Sequence, residues 1–63
     1  MAKTNVHVKL TGEDGNAFSI VGKVSKELKR NGYNELVSEF QKEAMSGDYD
    51  HLIQTAMEYV EVE

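Results

Sequence analysis

The spacing of apolar residues changes along this chain, and that change restricts the folds open to it. Val6, Val8 and Leu10 alternate with polar residues, which is the period of a strand with one buried face. From residue 17 to residue 60, apolar residues recur every three or four positions, the period of helices that bury one side. We therefore predict an α+β fold in which one N-terminal strand packs on three short helices. Residues 60–63 alternate again and can form a short strand that covers the edge of the first one.

Cap and turn residues divide the helical part into three helices. Asn16, Asn34 and Asp48 are predicted N-caps, because their side-chain oxygens can accept hydrogen bonds from unpaired amides in a first helical turn. Gly32 is predicted to end the first helix in the left-handed conformation that glycine adopts readily. Gly47 is predicted to turn the chain out of the second helix.

The start of the first helix has two interpretations. The alternation of Phe18 and Ile20 permits a second hairpin strand over residues 17–21, after a glycine-rich turn at residues 12–15. We favour a long helix that begins after Asn16, because it places more of the apolar residues on one face. Gly22 would then lie inside the helix, where it marks either the close approach of another backbone or a helix that begins later.

A chain of 63 residues forms one domain with a thin core. The predicted core residues are Val6, Val8, Leu10, Phe18, Val21, Val24, Leu28, Leu36, Val37, Phe40, Leu52, Ile53, Ala56, Met57 and Val60. A domain of this size buries only about 60% of the surface that its unfolded chain exposes, which leaves no room for a deep pocket. The absence of cysteine excludes disulfides and thiolate metal sites.

The segment SGDYDHL, residues 46–52, concentrates side chains that could bind a metal or exchange protons. Asp48, Asp50 and His51, joined by His7, would be the members of such a site. Asp50 and His51 are neighbours on one helix and diverge by about 100°, whereas zinc needs three or four converging ligands. We therefore interpret the segment as a helix corner, in which Asp48 caps the third helix and His51 faces solvent. We predict no catalytic residue, metal or cofactor.

Charge divides the chain into a basic and an acidic half. Residues 1–32 carry six lysines or arginines and three acidic residues, which gives a formal charge of +3. Residues 33–63 carry one lysine and eight acidic residues, which gives a formal charge of −7. The first predicted helix carries a basic stripe formed by Lys23, Lys26, Lys29 and Arg30. The second carries an acidic stripe formed by Glu35, Glu39 and Glu43. We take these stripes as the candidate interaction surface.

These features favour a non-enzymatic protein-interaction module, which binds a protein partner or a second copy of itself through its charged helix faces. A nucleic-acid-binding accessory protein that uses the basic face of the first helix is the alternative. The isoelectric point of 5.0, the net charge of −4 and the lack of an aromatic residue among the basic ones weigh against it. Solvated faces without any partner would give the same charge pattern.

Two stretches carry a resemblance to known sequences. With the basic helix between them, VKLTGEDGNAF at residues 8–18 and SGDYDHL at residues 46–52 resemble a family of very short proteins from bacterial genomes, phages and other mobile elements. No activity or cofactor is established for that family, so the resemblance implies only a stand-alone intracellular miniprotein of mobile-element origin. The chain has no apolar signal region and no run near the ~20 residues that cross a bilayer, so we expect a cytoplasmic protein that does not contact membranes.

Overall fold

Three helices and two short strands make up the part of the chain that the structure, a computed structural model, describes: residues 2–10 and 16–63. The elements are β1 (His7–Val8), α1 (Ala17–Arg30), α2 (Asn34–Ala44), α3 (Tyr49–Tyr59) and β2 (Glu61–Val62). This is the α+β arrangement that the apolar spacing predicts. None of these described helices is long and apolar enough to cross a membrane. The turn expected at residues 12–15 lies outside the described residues.

The two strands pair in parallel although they lie at opposite ends of the chain. The register places His7 opposite Glu61 and Val8 opposite Val62. The Glu61 N–H donates to the Val6 carbonyl at 2.8 Å. A parallel pair needs a long crossover connection, which all three helices provide here. The pairing of the N-terminal and C-terminal strands is thus confirmed.

Helix α1 is continuous from residue 17 to residue 30, so the alternative with a second hairpin strand is wrong. Asn16 caps it as predicted, since its Oδ1 accepts a hydrogen bond from the Ser19 N–H at 3.1 Å. Gly22 lies inside the helix, and no neighbouring atom lies within 4 Å of the position that a Cβ would take there. Neither a late helix start nor a closely approaching backbone therefore explains this glycine.

Gly22→Ala is expected to stabilise the protein by about 1 kcal/mol, because glycine is about that much less favourable than alanine in a helix interior. The open space around residue 22 accommodates the added methyl group without a clash. Urea unfolding followed by circular dichroism measures the change. A lower unfolding midpoint would contradict the open surroundings of this residue.

The connection between α1 and α2 corrects one predicted cap. Gly32 has a φ of 86°, the left-handed conformation predicted for it. The N–H of Tyr33 donates to the Leu28 carbonyl at 2.8 Å, and that of Gly32 to the Lys29 carbonyl at 3.1 Å, which closes α1 in a Schellman motif. Because α2 follows this motif at once, Tyr33 takes the N-cap position without a side-chain hydrogen bond. Asn34, the predicted cap, is the first residue of α2.

The core draws on the strand segments and all three helices. The buried hydrophobic residues are Val6, Val8, Leu10, Ile20, Val24, Leu28, Val37, Phe40, Ala44, Leu52, Ala56, Tyr59 and Val60. Most of them belong to the predicted core. Of the other predicted members, Val21, Leu36 and Ile53 are partly buried against this cluster.

Two residues of the predicted core lie on the surface instead. Phe18 is 78% exposed and Met57 is 56% exposed. Phe18 lies roughly 120° around α1 from the buried Val24, and Met57 roughly 140° around α3 from the buried Leu52. Each is therefore outside the arc that faces the core. In α3 the inward position goes to Tyr59, which the predicted core omits.

Candidate functional site

At the corner between α2 and α3, both aspartates lie at the start of α3, and one of them is its cap. Asp48 is the N-cap of α3, and its Oδ1 accepts a hydrogen bond from the His51 N–H at 2.9 Å. Asp50 is exposed in the first turn of α3, where the helix dipole favours a carboxylate. Within residues 2–10 and 16–63, no group of three or more His, Cys, Asp or Glu side chains could hold a metal ion.

His51 folds back over the end of α2 rather than projecting into solvent as predicted. Its Nε2 lies 3.0 Å from the Glu43 carbonyl oxygen, 3.0 Å from Glu43 Oε2 and 3.2 Å from Ser46 Oγ. The Ser46 hydroxyl donates to the same carbonyl at 2.7 Å. The Glu43 carbonyl is one of the last in α2, which an isolated helix end would leave without a partner. His51 and Ser46 therefore close the end of α2.

A serine, a histidine and a glutamate meet at this corner, but their geometry differs from that of a catalytic triad. In a triad, the serine contacts one ring nitrogen and the carboxylate orients the ring through the other. Here Ser46 and Glu43 both contact Nε2 of His51, so the carboxylate does not orient the ring for proton transfer. The adjacent cavity measures about 120 Å³, well below the size of most ligand pockets.

A cluster of three polar side chains ties the N-terminal segment to α2 and α3. The Tyr59 hydroxyl donates to Glu39 Oε2 at 2.5 Å, and Lys3 Nζ donates to the same oxygen at 3.0 Å. Lys3 Nζ also lies 4.6 Å from the centre of the Tyr59 ring, within range of a cation–π interaction. Glu39, a member of the predicted acidic stripe, thus has two partners within the chain.

This cluster shifts the pKa values of its members. Hydrogen bonds from Tyr59 and then from Lys3 lower the pKa of the Glu39 carboxyl below its ordinary value. Burial, followed by the hydrogen bond to Glu39, raises the pKa of the Tyr59 hydroxyl. The hydrogen bond to Glu39 raises the pKa of the Lys3 ammonium. Near neutral pH, the favoured form is therefore a charged Glu39 between a charged Lys3 and a neutral Tyr59.

The lowered pKa of Glu39 predicts a dependence of stability on acid. A carboxyl whose folded pKa is depressed stabilises the protein above its unfolded pKa, and this stabilisation is lost as pH falls through the folded pKa. We expect Glu39→Gln to reduce the loss of stability on acidification, as measured by urea unfolding at a series of pH values. Glu58→Gln, at an exposed glutamate of α3, is the control. Equal profiles for wild type and Glu39→Gln would contradict the assignment.

The basic stripe lies on the outward side of α1. Lys26 and Lys29 are exposed, and neither makes an ion pair with another described residue. The Arg30 side chain is 75% exposed, and its Nη1 lies 3.8 Å from Glu27 Oε2. Lys23 is half-buried and takes part in a further interaction within the chain. Three of the four predicted basic residues therefore remain open to solvent.

The acidic stripe of α2 is less available for binding a partner than the basic stripe of α1. Glu35 is exposed. Glu39 is hydrogen-bonded to Tyr59 and Lys3, and Glu43 contacts His51. Two of the three predicted acidic residues are thus occupied by contacts that hold the fold together, so binding of a partner through them would compete with those contacts.

An exposed aromatic residue shares the outward side of α1 with the basic residues. By the helical period, one arc of roughly 120° includes the following residues, which we call the α1 surface: Phe18, Gly22, Lys26, Lys29 and Arg30. Phe18 lies about 12 Å along the helix from Lys26, with the bare Gly22 between them. The sequence predicts a core position for Phe18 and therefore does not place it beside the basic residues. The sequence feature that points to an exposed Phe18 is its position at the edge of the apolar arc of α1.

Comparisons with protein-family models, with curated protein sequences and with solved structures find no significant match to this chain. The assignment of a function therefore depends on the surfaces of the molecule itself. Among the described residues, the α1 surface brings an exposed aromatic side chain, Phe18, together with the exposed cations Lys26 and Lys29.

Proposed function

We propose that this chain is a non-enzymatic protein-interaction module that binds an acidic surface of a partner protein through the α1 surface. The exposure of Phe18 carries this proposal. A phenylalanine ring can bury roughly 150–250 Å² in a core or an interface, but at 78% exposure it contributes little of that to the free protein. A large exposed apolar group is a more informative observation than exposed charge.

The basic residues define the chemistry of the partner. Aromatic anchors supply much of the affinity of an interface, whereas surrounding charges set its orientation and association rate. Lys26, Lys29 and Arg30 would attract carboxylates, so the partner surface should be acidic around an apolar pocket for Phe18. A second copy carries acidic residues too, but the net charge of −4 makes two copies repel each other at a distance. We therefore favour a different protein as the partner.

Affinity capture with matched variants tests this function. We expect wild-type protein to retain a partner from a lysate of the cells that express it, and both Lys26→Glu/Lys29→Glu and Phe18→Ser to lose that partner. Lys9→Glu/Lys42→Glu makes the same change in net charge at exposed positions outside the α1 surface, and it should retain the partner. Equal retention by all four proteins, or no retention by wild type, would reject the α1 surface as the binding site.

Nucleic-acid binding is the second candidate, and the same exposed cations favour it. Phosphates would contact Lys26, Lys29 and Arg30, and an unpaired base could stack on Phe18. The acidic net charge opposes it, because dedicated nucleic-acid-binding domains are usually basic. Filter binding with labelled nucleic acid at low and moderate salt separates the two functions. Retention at low salt that falls steeply with salt, and that Lys26→Glu/Lys29→Glu abolishes, would establish nucleic-acid binding instead.

A further inference from the structure

The outer edge of β2 presents backbone groups without a partner among the described residues. In a parallel pair, alternate residues direct their N–H and C=O groups towards the neighbouring strand. The N–H groups of Glu61 and Glu63 donate to the carbonyls of Val6 and Val8. Val62, which lies between them, therefore directs its N–H and C=O away from β1, and the two-stranded sheet ends there. Such an edge is a template for a further strand.

An open groove with both apolar and polar lining lies beside this edge. It has a volume of about 410 Å³ and is lined by Ala2, Met57, Val60, Glu61 and Val62. Val60 is buried, while Met57 is 56% exposed and Val62 is 37% exposed. Because successive side chains of an extended peptide point to opposite faces, every second one could enter the groove while the backbone pairs with Val62.

Glutamates around the edge determine which strand would fit. Glu58 and Glu61 are exposed and make no ion pair with other described residues, whereas Glu63 Oε2 lies 3.4 Å from His7 Nδ1. Pairing of two copies through β2 would bring these like charges together, which is unfavourable. An extended segment in which basic and apolar residues alternate would match both the carboxylates and the groove.

We propose that the edge of β2 binds an extended basic segment of another protein, which adds to the sheet as a third strand. The segment forms backbone hydrogen bonds with Val62, places its apolar side chains beside Met57 and directs its basic side chains to Glu58 and Glu61. None of these residues belongs to the α1 surface, so the interaction does not depend on the function proposed above. The chain would then have two binding surfaces of opposite charge.

Val62→Pro tests the backbone contact directly. Proline removes the N–H of residue 62, which points away from β1, so no hydrogen bond of the β1–β2 pair is lost. Val62→Thr keeps the N–H and the β-branched shape, and it is the matched control. The probe is a fluorescent peptide of alternating lysine and valine, with binding measured by fluorescence anisotropy. We expect wild type and Val62→Thr to bind alike, and Val62→Pro to bind about tenfold more weakly, as expected for the loss of about one hydrogen bond.

Further measurements test the fold of the variant, the place of binding and the role of the peptide backbone. Circular dichroism and urea unfolding verify that Val62→Pro is folded, and amide chemical shifts should change around residues 57–62 on peptide binding. A peptide with N-methylated alternate amides should not bind; if it binds as well as the parent, charge attraction alone is responsible and strand addition is wrong. Equal affinities of wild type and Val62→Pro would also overturn the proposal. Dimerisation of wild type that Val62→Pro abolishes would assign the edge to a second copy instead.

Discussion

Replacement of Phe40 by alanine is expected to destabilise the protein by about 3–5 kcal/mol, the usual effect of truncating a buried aromatic residue. Phe40 is fully buried, and its ring packs edge-on against Tyr59 with the ring centres 5.4 Å apart. The substitution removes apolar burial and leaves a cavity between α2 and α3. Because a small domain has a total stability near the lower end of about 5–15 kcal/mol, a large fraction of the variant should be unfolded at room temperature.

Phe18→Ala is the matched control for this prediction, since the chain has two phenylalanines and both lie in helices. Phe18 is 78% exposed, so its truncation should change the free energy of unfolding by no more than about 0.5 kcal/mol. Urea unfolding followed by circular dichroism compares the two variants with wild type. Similar destabilisation by both substitutions would contradict the outward position of Phe18 and remove the basis of the α1 surface.

Apolar spacing was sufficient to predict the elements of this fold but not how each helix is rotated against the core. The alternation at residues 6–10 predicted β1, and side-chain caps at Asn16 and Asp48 marked two helix starts. The rotation of α3 was not predictable from the same pattern. It buries Thr55 and Tyr59 more deeply than Ile53 and Met57, and both buried hydroxyls are hydrogen-bonded. Thr55 donates to the His51 carbonyl, and Tyr59 donates to Glu39.

The candidate site was predictable to a similar extent. The spacing of Lys26, Lys29 and Arg30 is sufficient to place them on one side of α1, because the helical period fixes their directions. The apolar spacing predicts a core position for Phe18, but a residue at the edge of the apolar arc can lie on either side of that boundary. Contacts between residues far apart in sequence, such as Lys3 with Glu39, depend on how the elements pack. No local pattern in the sequence contains that information.

Gly47 is required by the packing of a neighbouring side chain and not by the backbone conformation of a turn. Gly32 is the one glycine with a positive φ among those that the structure describes, so residue 47 needs no left-handed conformation. A Cβ at position 47 would instead lie 2.8 Å from Cγ and 2.9 Å from Cβ of His51. These atoms lie near the backbone, so rotation of the side chain cannot move all of them away. The absence of a side chain at residue 47 therefore allows His51 to reach the end of α2.

Gly47→Ala is accordingly expected to destabilise the protein by about 1–3 kcal/mol, the usual range for overpacking. His51→Ala alone should destabilise it by about 1 kcal/mol through loss of the contacts with Glu43 and Ser46. In the double variant, the contacts of the added methyl group with Cγ and Cδ2 are gone and there is no ring left to displace, whereas Cβ of residue 51 still lies 2.9 Å from that methyl group, so the overpacking is relieved only in part. The combined destabilisation should thus be smaller than the sum of the two single effects by about 0.5–3 kcal/mol, measured as a double-mutant cycle in urea.

Gly22→Ala provides the control for this cycle, because it makes the same substitution in open space on α1 and should stabilise the protein. Opposite signs for the two glycine substitutions, together with coupling to His51 only at residue 47, would establish that steric contact with the imidazole fixes the corner. Additive effects of Gly47→Ala and His51→Ala would mean that the two residues contribute independently to stability. The position of the His51 ring against the end of α2 would then not be the reason for a glycine at residue 47.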